Sequence, residues 1–201
     1  MPVMARRAKV TVDLEELSVR PLTPETFPDF AGLVERSGGM FASCYCTWFH
    51  PDCAERGVSA EGNRALKDRL VRDGVAHAAL VYDGETAIAW AEYGSPEELP
   101  RIRHRKETDA TTTTPPDYRV TCLVTDTAYR GQGVSERALR GAVELIAAAG
   151  GGVVEGYPHD LRGARMSASF LYNGTREMFE RVGFTYDRPK GEKNCVMRMT
   201  V

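Results

Sequence analysis

Apolar residues recur every three or four positions in four parts of the chain. This spacing predicts amphipathic helices over about 24–37, 60–72, 135–149 and 175–181. Ser59 stands where a helix-capping side chain is expected, and three consecutive glycines follow the third segment, where a helix would end. These segments are the predicted helices of the fold.

Shorter apolar or alternating runs predict β-strands at 17–20, 77–82, 86–93, 119–125, 153–157 and 195–201. The pair Asp83-Gly84 separates the second and third runs and predicts a tight hairpin. Between 94 and 117 the chain carries several prolines and a run of threonines, so we predict mostly loop there.

The resulting order is strand, two helices, hairpin, strand–helix–strand, helix and strand. It predicts a single α/β (α+β) domain over 17–201, in which helices flank a mixed central β-sheet. An N-terminal arm over 1–16 precedes this domain. A chain of 201 residues has room for one sizeable core.

Composition narrows the classes of partner. The formal net charge of -2 argues against nucleic acid, which usually selects a basic face. The odd count of 5 cysteines favours reduced thiols over a disulfide framework. No stretch approaches the roughly 20 apolar residues of a membrane span. We therefore expect a cytoplasmic protein that binds neither nucleic acid nor membrane.

The segment Arg130-Gly131-Gln132-Gly133-Val134-Ser135 follows a buried strand and opens a helix. The first N–H groups of a helix lack internal partners and attract a phosphate or pyrophosphate. Two glycines allow a ligand to approach the backbone closely. The segment lacks the third glycine of a dinucleotide fingerprint and the Gly-Lys-Ser/Thr of a Walker loop.

In this context the chain resembles the GCN5-related N-acetyltransferases. Their signature Gln/Arg-x-x-Gly-x-Gly/Ala is matched by Arg130-x-x-Gly133-x-Ser135, with Ser at the last position. The later run Phe179-Glu180-Arg181-Val182-Gly183-Phe184 looks like the family's closing helix and its Gly-Phe end. The resemblance implies acetyl-CoA as co-substrate, an acyl-CoA-binding core at about 118–185, and a splay between two strands that admits the cofactor arm.

The resemblance also implies which residues hold acetyl-CoA. The strand before the loop would bind the pantetheine arm through its backbone, and the loop amides would bind the pyrophosphate. The implied cofactor residues are Leu123, Val124, Thr125, Arg130, Gly131, Gln132, Gly133, Val134 and Ser135.

Acyl transfer to an amine needs a proton acceptor, because an alkyl amine is mostly protonated near neutrality. Glu155 and Glu92 are carboxylates inside apolar strand runs, where an unpaired charge is costly, and Glu155 flanks the expected splay. Many family members protonate the leaving thiolate with a Tyr at the position of Phe179. Tyr172, or water, is the substitute we consider here. For each of the three, a solvated or simply packed side chain is the alternative.

The segment 41–53 is rich in aromatic and sulfur side chains. Phe41, Tyr45, Trp48 and Phe49 are interpreted as an aromatic wall of the acceptor pocket, with Tyr157 from the far strand. Cys44, Cys46, His50 and Cys53 do not have a standard zinc spacing, so no metal is expected. The basic run 101–106 is interpreted as solvated, or as a site for the adenosine phosphate or an acidic acceptor.

Three hypotheses follow. The first is an acetyl-CoA-dependent N-acetyltransferase that transfers acetyl directly to a small-molecule amine in a ternary complex. The alternative is a non-catalytic acyl-CoA-binding or regulatory module. The third is a metal-binding interaction protein built on the cysteine segment. A homodimer is common for folds of this kind.

Overall fold

A computed structural model describes residues 8–37, 41–54, 59–163, 166–167 and 171–201, apart from the side chains at 41–42 and 53–54. The strands are β1 Ser18–Pro21, β2 His77–Asp83, β3 Thr86–Gly94, β4 Tyr118–Thr125, β5 Val153–Gly156, β6 Thr185–Lys190 and β7 Asn194–Thr200. The helices are α1 Phe27–Ser37, α2 Phe41–Cys44, α3 Ala60–Arg72, α4 Arg105–Thr111, α5 Val134–Ala148 and α6 Arg176–Val182.

The strands form one mixed sheet in the order β1-β2-β3-β4-β5-β7-β6. Every neighbouring pair is antiparallel except β4 and β5, which run parallel and are joined through α5. The predicted single domain with a mixed sheet and flanking helices is confirmed. Ser59 caps α3 as expected, because its side chain accepts a hydrogen bond from the Gly62 N–H.

Helices cover both faces of the sheet. On one face α5 packs against β2, β3 and β4. Its apolar side chains, including Leu139 and Ile146, are buried in the hydrophobic core on that face. On the other face α1 contributes Phe30, whose ring meets Trp90 of β3 edge to face at 5.1 Å. The two layers bury the sheet, so polar side chains on its strands need partners inside the protein.

Two elements were missed. The prediction of mostly loop over 94–117 overlooked α4, because this helix is polar and buries only Thr108 along its length. β6 was also missed, since it carries Pro189 and mostly exposed side chains. Such a composition suits an edge strand and gives no alternating pattern.

The sheet opens between β4 and β5. Only Tyr118, Arg119 and Val120 of β4 pair with β5, whereas β4 continues to Thr125. The predicted splay is therefore present. A second irregularity lies between β3 and β4: Glu92 pairs with Cys122 and the next residue pairs with Val120, so Thr121 is the extra residue of a bulge.

No helix in the described parts of the chain has the length and apolar character needed to cross a membrane.

Candidate active site

The glycine loop forms a turn that only glycine adopts without strain. Gly131 has φ +80° and Gly133 has φ +87°, and α5 begins at Val134 directly afterwards. The first N–H groups of α5 therefore emerge from the loop without helical partners, and the helix dipole adds partial positive charge there. This arrangement suits a pyrophosphate.

Side chains fasten the loop to the end of β4. The Arg130 Nε donates to the Thr125 carbonyl at 3.1 Å, and the hydroxyls of Thr125 and Ser135 lie 2.8 Å apart. Ser at the last signature position thus bonds to the strand that precedes the loop. The strand, the loop and the start of α5 are held as one unit.

A cleft of about 380 Å³ runs along this unit. Its volume is within the usual range for a ligand site. All nine predicted cofactor residues line it except Gln132. The opposite wall comes from the start of α6 and the segment before it, including Leu171, Tyr172 and Met178.

Gln132 faces away from the cleft. Its Nε2 donates to the Val10 carbonyl at 2.7 Å, and its Oε1 accepts from the Val12 N–H at 3.4 Å. Leu14 lies beside Gly133, where an added Cβ would come 3.0 Å from Leu14 Cδ1. Residues 10–14 of the N-terminal arm therefore lie against the outside of the loop, a contact that the sequence pattern did not indicate.

The three predicted cofactor residues of β4 do not all point their backbone N–H groups toward the cleft. The Leu123 N–H donates to the Tyr172 carbonyl at 2.6 Å, so it points away from β3. Successive strand residues point their N–H groups to opposite edges, which directs the N–H of Val124 toward β3. Leu123 and Thr125 thus present backbone groups to the cleft, whereas Val124 contributes its side chain.

A second, small cavity of about 20 Å³ lies beyond Tyr172, which lines both spaces. Its walls include Phe49, Thr121, Tyr157 and Lys190. It lies on the side where β4 and β5 separate. An acceptor that reaches this cavity would place only a small group in it, beside Tyr172.

Glu92 lies in a buried network behind this cavity. Its Oε1 accepts from Lys67 Nζ at 2.6 Å and lies 3.6 Å from His50 Nε2, while its Oε2 accepts from the Thr121 hydroxyl at 2.7 Å. Burial opposes ionisation, but Lys67 and His50 together hold the pKa of this carboxyl below its usual value. Glu92 is therefore an ionised carboxylate, one hydroxyl away from the cavity.

Glu155 lies in a separate buried cluster. Its Oε1 meets Arg188 at 3.3 Å and Arg198 at 3.5 Å, and its Oε2 accepts from the Tyr157 hydroxyl at 3.1 Å. Two guanidinium groups therefore form charge-assisted contacts with this carboxylate. The position of Glu155 beside the splay favoured it as the proton acceptor, but among the described residues it is the side chain of Tyr157 that links Glu155 to the cavity.

The candidate thiolate-protonating positions have different environments. Tyr172 is half-buried at the junction of the two spaces; burial raises the pKa of its hydroxyl, and nearby Arg103 opposes this shift. Phe179 is fully buried, with its ring 4.9 Å from that of Phe184 and packed against Gly156. The position that carries Tyr in the family is a core position here.

The aromatic wall is only partly as expected. Tyr45 is a core residue: it is 2% exposed, contacts Phe30, and donates to Glu35 at 3.2 Å. Trp48 packs edge to face on Phe49, and it is Phe49 that lines the small cavity. The apolar pattern could not separate the cavity face from the core face in so short a segment.

Two residues of that segment, Phe41 and Cys53, have side chains outside the described residues. Among the described residues, no group of three His, Cys, Asp or Glu has an arrangement that could hold a metal ion. Cys46 Sγ lies 2.9 Å from Cys122 Sγ, and burial raises the pKa of the Cys46 thiol. These two thiols pack as small apolar groups.

No protein-family model and no curated protein matches the chain. Solved structures do. The PaiA N-acetyltransferase of Thermoplasma acidophilum, solved with coenzyme A, is 14% identical, with a TM-score of 0.51 over 92% of this chain and 99% of that one. A GNAT-family acetyltransferase of Streptococcus pneumoniae is 13% identical, with a TM-score of 0.50 over 92% and 100%.

The ribosomal-protein-S5-alanine acetyltransferase of Vibrio fischeri is 14% identical, with a TM-score of 0.51 over 96% and 97%. This chain has the GNAT fold. The fold implied by the glycine loop and the Gly-Phe helix is thereby confirmed. Identities this low establish a shared fold, so the activity has to be argued from the residues of the GNAT-fold cleft itself.

Proposed function

We propose that this protein is an acetyl-CoA-dependent N-acetyltransferase that acts on a small amine. The observation that carries the proposal is the cleft along the glycine loop and β4, because its lining residue Tyr172 also lines the small cavity next to the splay. The cleft follows the loop and β4, and the cavity lies on the side where β4 and β5 separate. A cofactor phosphate end and a reacting end are thus provided along one strand.

The residues of the cleft fit the parts of acetyl-CoA. The loop from Gly131 to Ser135 offers helix N–H groups to the pyrophosphate, with Arg130 and Arg181 on the cleft wall as cations. Leu123, Thr125 and Met178 line the part of the cleft next to β4, where backbone groups and apolar side chains suit the pantetheine arm. No metal is needed for this binding.

In the proposed reaction the acceptor nitrogen attacks the thioester carbonyl carbon, a C–N bond forms, and the C–S bond breaks. The nitrogen loses a proton as the bond forms. We assign that proton to Glu92 through the Thr121 hydroxyl, because Thr121 lines the cavity and donates to Glu92 at 2.7 Å. The departing thiolate takes a proton from Tyr172 or water.

The choice of Glu92 over Glu155 rests on their partners. Glu92 is paired with Lys67 and reached through a short hydroxyl, whereas Glu155 is held by two arginines. Tyr172 is assigned its role because it is the phenol shared by the cleft and the cavity. Cytoplasmic location and a homodimer stay predictions.

The proposal is tested with a charge placed in the loop. Gly131→Asp adds a negative charge to the loop, with its Cβ 3.9 Å from Lys9 Nζ, and we expect repulsion of the pyrophosphate to lower coenzyme A affinity, measured by calorimetry, at least about 100-fold. Gly74→Asp is the matched control, because Gly74 also has positive φ, +71°, and an added Cβ meets nothing within 4 Å. That variant should bind coenzyme A normally.

Activity is tested by thiol release from acetyl-CoA across a panel of amines, with mass spectrometry of the products. Acetylated product that disappears in Gly131→Asp supports the proposal. Coenzyme A binding without turnover on any amine would favour the alternative, a non-catalytic acyl-CoA module. Equal affinity in both glycine variants would refute the assigned pyrophosphate site.

A further inference from the structure

The small cavity beside Tyr172 has an unbalanced charge. Arg103 and Lys190 are among its lining residues, and none of its described lining residues is Asp or Glu. Its volume of about 20 Å³ is close to the space of a single water molecule. A small charged group of a ligand would therefore be in direct contact with these cations.

Lys190 forms the buried end of this cavity. It is only 4% exposed, its ammonium donates to the Thr108 hydroxyl at 2.6 Å, and it lies 4.6 Å above the Tyr157 ring. No carboxylate in the described parts of the chain lies within salt-bridge distance of it. Buried charges in proteins are normally paired, so an unpaired buried ammonium lacks a counter-ion.

A second buried cation acts on Lys190. Arg119 is also buried; it donates to the Leu99 carbonyl at 3.0 Å, and its Nε has no hydrogen-bond partner among the described groups. Two carboxylates, Glu155 and Glu107, act on Lys190 from beyond salt-bridge distance, and Glu155 is already shared by Arg188 and Arg198. Burial, reinforced by Arg119, lowers the pKa of Lys190 to about 8, although Glu155 and Glu107 oppose this shift.

The open end of the cavity is also cationic. Arg103 is exposed there and close enough to Tyr172 to affect the titration of its hydroxyl. Thr121, which leads to Glu92, is on the wall of the same cavity. A proton-accepting route and a buried cation therefore share one small space.

We propose that this cavity binds the carboxylate of the acceptor, so that the acceptor is an amino acid or a similar amine with a carboxylate near its nitrogen. The proposal rests on the proposed acetyltransferase function. Lys190 pairs with the carboxylate, and the amine lies toward Thr121 and the thioester. The small volume favours a planar carboxylate over a bulkier phosphate.

The test uses matched acceptors. Phenylalanine, phenylalaninamide and phenethylamine share an amine and a side chain and differ in the carboxylate, and alanine with alaninamide repeats the comparison. We expect kcat/KM for the acid to exceed that for the amide by at least about 10-fold, as for a charge-assisted hydrogen bond. 2-Aminoethyl phosphate tests whether the cavity accepts a phosphate in place of the carboxylate.

Three variants locate the effect. Lys190→Met should reduce the preference for the acid to within about threefold, and Lys190→Arg should keep part of it. Lys193→Met removes the same charge from an exposed position in the β6–β7 turn and should change nothing. Coenzyme A affinity should be equal in all three, which also shows that each variant is folded.

A second measurement does not depend on turnover. N-acetylphenylalanine, and not its amide, should raise the melting temperature of the wild-type protein with coenzyme A present, and this effect should vanish in Lys190→Met. Equal kcat/KM for acids and amides, preference for the phosphate, or no stabilisation by N-acetyl acids overturns this inference and leaves acetyl transfer intact. Loss of coenzyme A binding by the wild-type protein would instead refute the proposed function.

Discussion

The Thr121 hydroxyl donates a hydrogen bond of 2.7 Å to Glu92 Oε2. Thr121 also lines the small cavity beside Tyr172. Thr121 is the extra residue of the β3–β4 bulge, and bulges commonly re-aim a side chain next to an active site. Glu92 itself is buried behind it. The bulge therefore connects a carboxylate in the sheet to a cavity that the carboxylate does not line.

Replacing Thr121 tests this connection. Thr121→Val keeps the shape and removes the hydroxyl, so we expect kcat with the best amine to fall about 100-fold or more, because general-base assistance typically contributes about 10²- to 10⁴-fold. The KM for acetyl-CoA should not change. Thr121→Ser restores a hydroxyl and should stay within about threefold of wild type; similar rates for Val and Ser would contradict the relay.

Glu155→Gln separates the two glutamates. It removes the anionic partner of Arg198 and leaves Arg188 with only Asp187, so we expect the free energy of unfolding to fall by about 2 to 4 kcal/mol. The kcat of the folded enzyme should remain within about threefold. Glu192→Gln, at an exposed position, is the control for loss of one negative charge.

Denaturant unfolding and steady-state rates at the same temperature provide these two values. A stable Glu155→Gln variant with kcat reduced 100-fold would transfer the proton-accepting role from Glu92 to Glu155.

Gly133→Ala tests the contact between the loop and the N-terminal arm. Residue 133 has a backbone φ of +87°, which strains any side chain, and the new Cβ would come 3.0 Å from Leu14 Cδ1. We therefore expect about 1 to 3 kcal/mol of destabilisation. The double variant with Leu14→Ala relieves the contact and retains the backbone strain. The double variant should recover part of the lost stability, measured by thermal unfolding. If it recovers none, the contact with Leu14 does not contribute to the destabilisation.

Lys190 makes stability depend on pH. Its pKa of about 8 in the folded protein lies below its value of 10.5 in an unfolded chain. The folded state therefore binds fewer protons between about pH 8 and 10.5, and stability should rise with pH across this window. Lys190→Met should be more stable than wild type at pH 7, by about 1 to 2 kcal/mol after allowance for solvent screening.

The same variant should show a flatter stability curve above pH 8, which chemical denaturation at several pH values will measure. Arg119, Arg188, Glu155 and Glu107 act on Lys190, and guanidinium and carboxyl groups ordinarily titrate outside this range. The Tyr157 ring also faces Lys190, and burial raises the pKa of its hydroxyl above the range. An unchanged curve would show that Lys190 does not carry an uncompensated charge.

The sequence predicted the parts of the fold that repeat a simple period. The helix over 60–72, the hairpin at Asp83-Gly84 and the strand before Arg130 all have strong apolar patterns or turn signals. α4 and β6 lack such patterns because they lie at the surface and at the sheet edge. The cofactor loop was predictable because its glycines and its position between strand and helix are local features.

The acceptor side was harder to predict for a physical reason. Tyr45 and Phe49 are both aromatic and only four residues apart, yet one lies in the core and the other lines the cavity. Lys190 comes from a strand that was not predicted, and its meeting with Thr121 depends on sheet order and on a bulge. Sequence spacing carries no information about such long-range meetings.

The hydrogen bond from Leu123 N–H to the Tyr172 carbonyl gives the protein an internal competitor for its own cofactor. If the pantetheine arm takes this donor, a carbonyl of the ligand replaces a carbonyl of the chain, and the exchange is close to neutral in hydrogen bonding. The tethered carbonyl acts at a high effective concentration. Cofactor affinity is then set by the strength of this self-contact as much as by the glycine loop, so backbone changes around Tyr172 would tune it without touching the pyrophosphate.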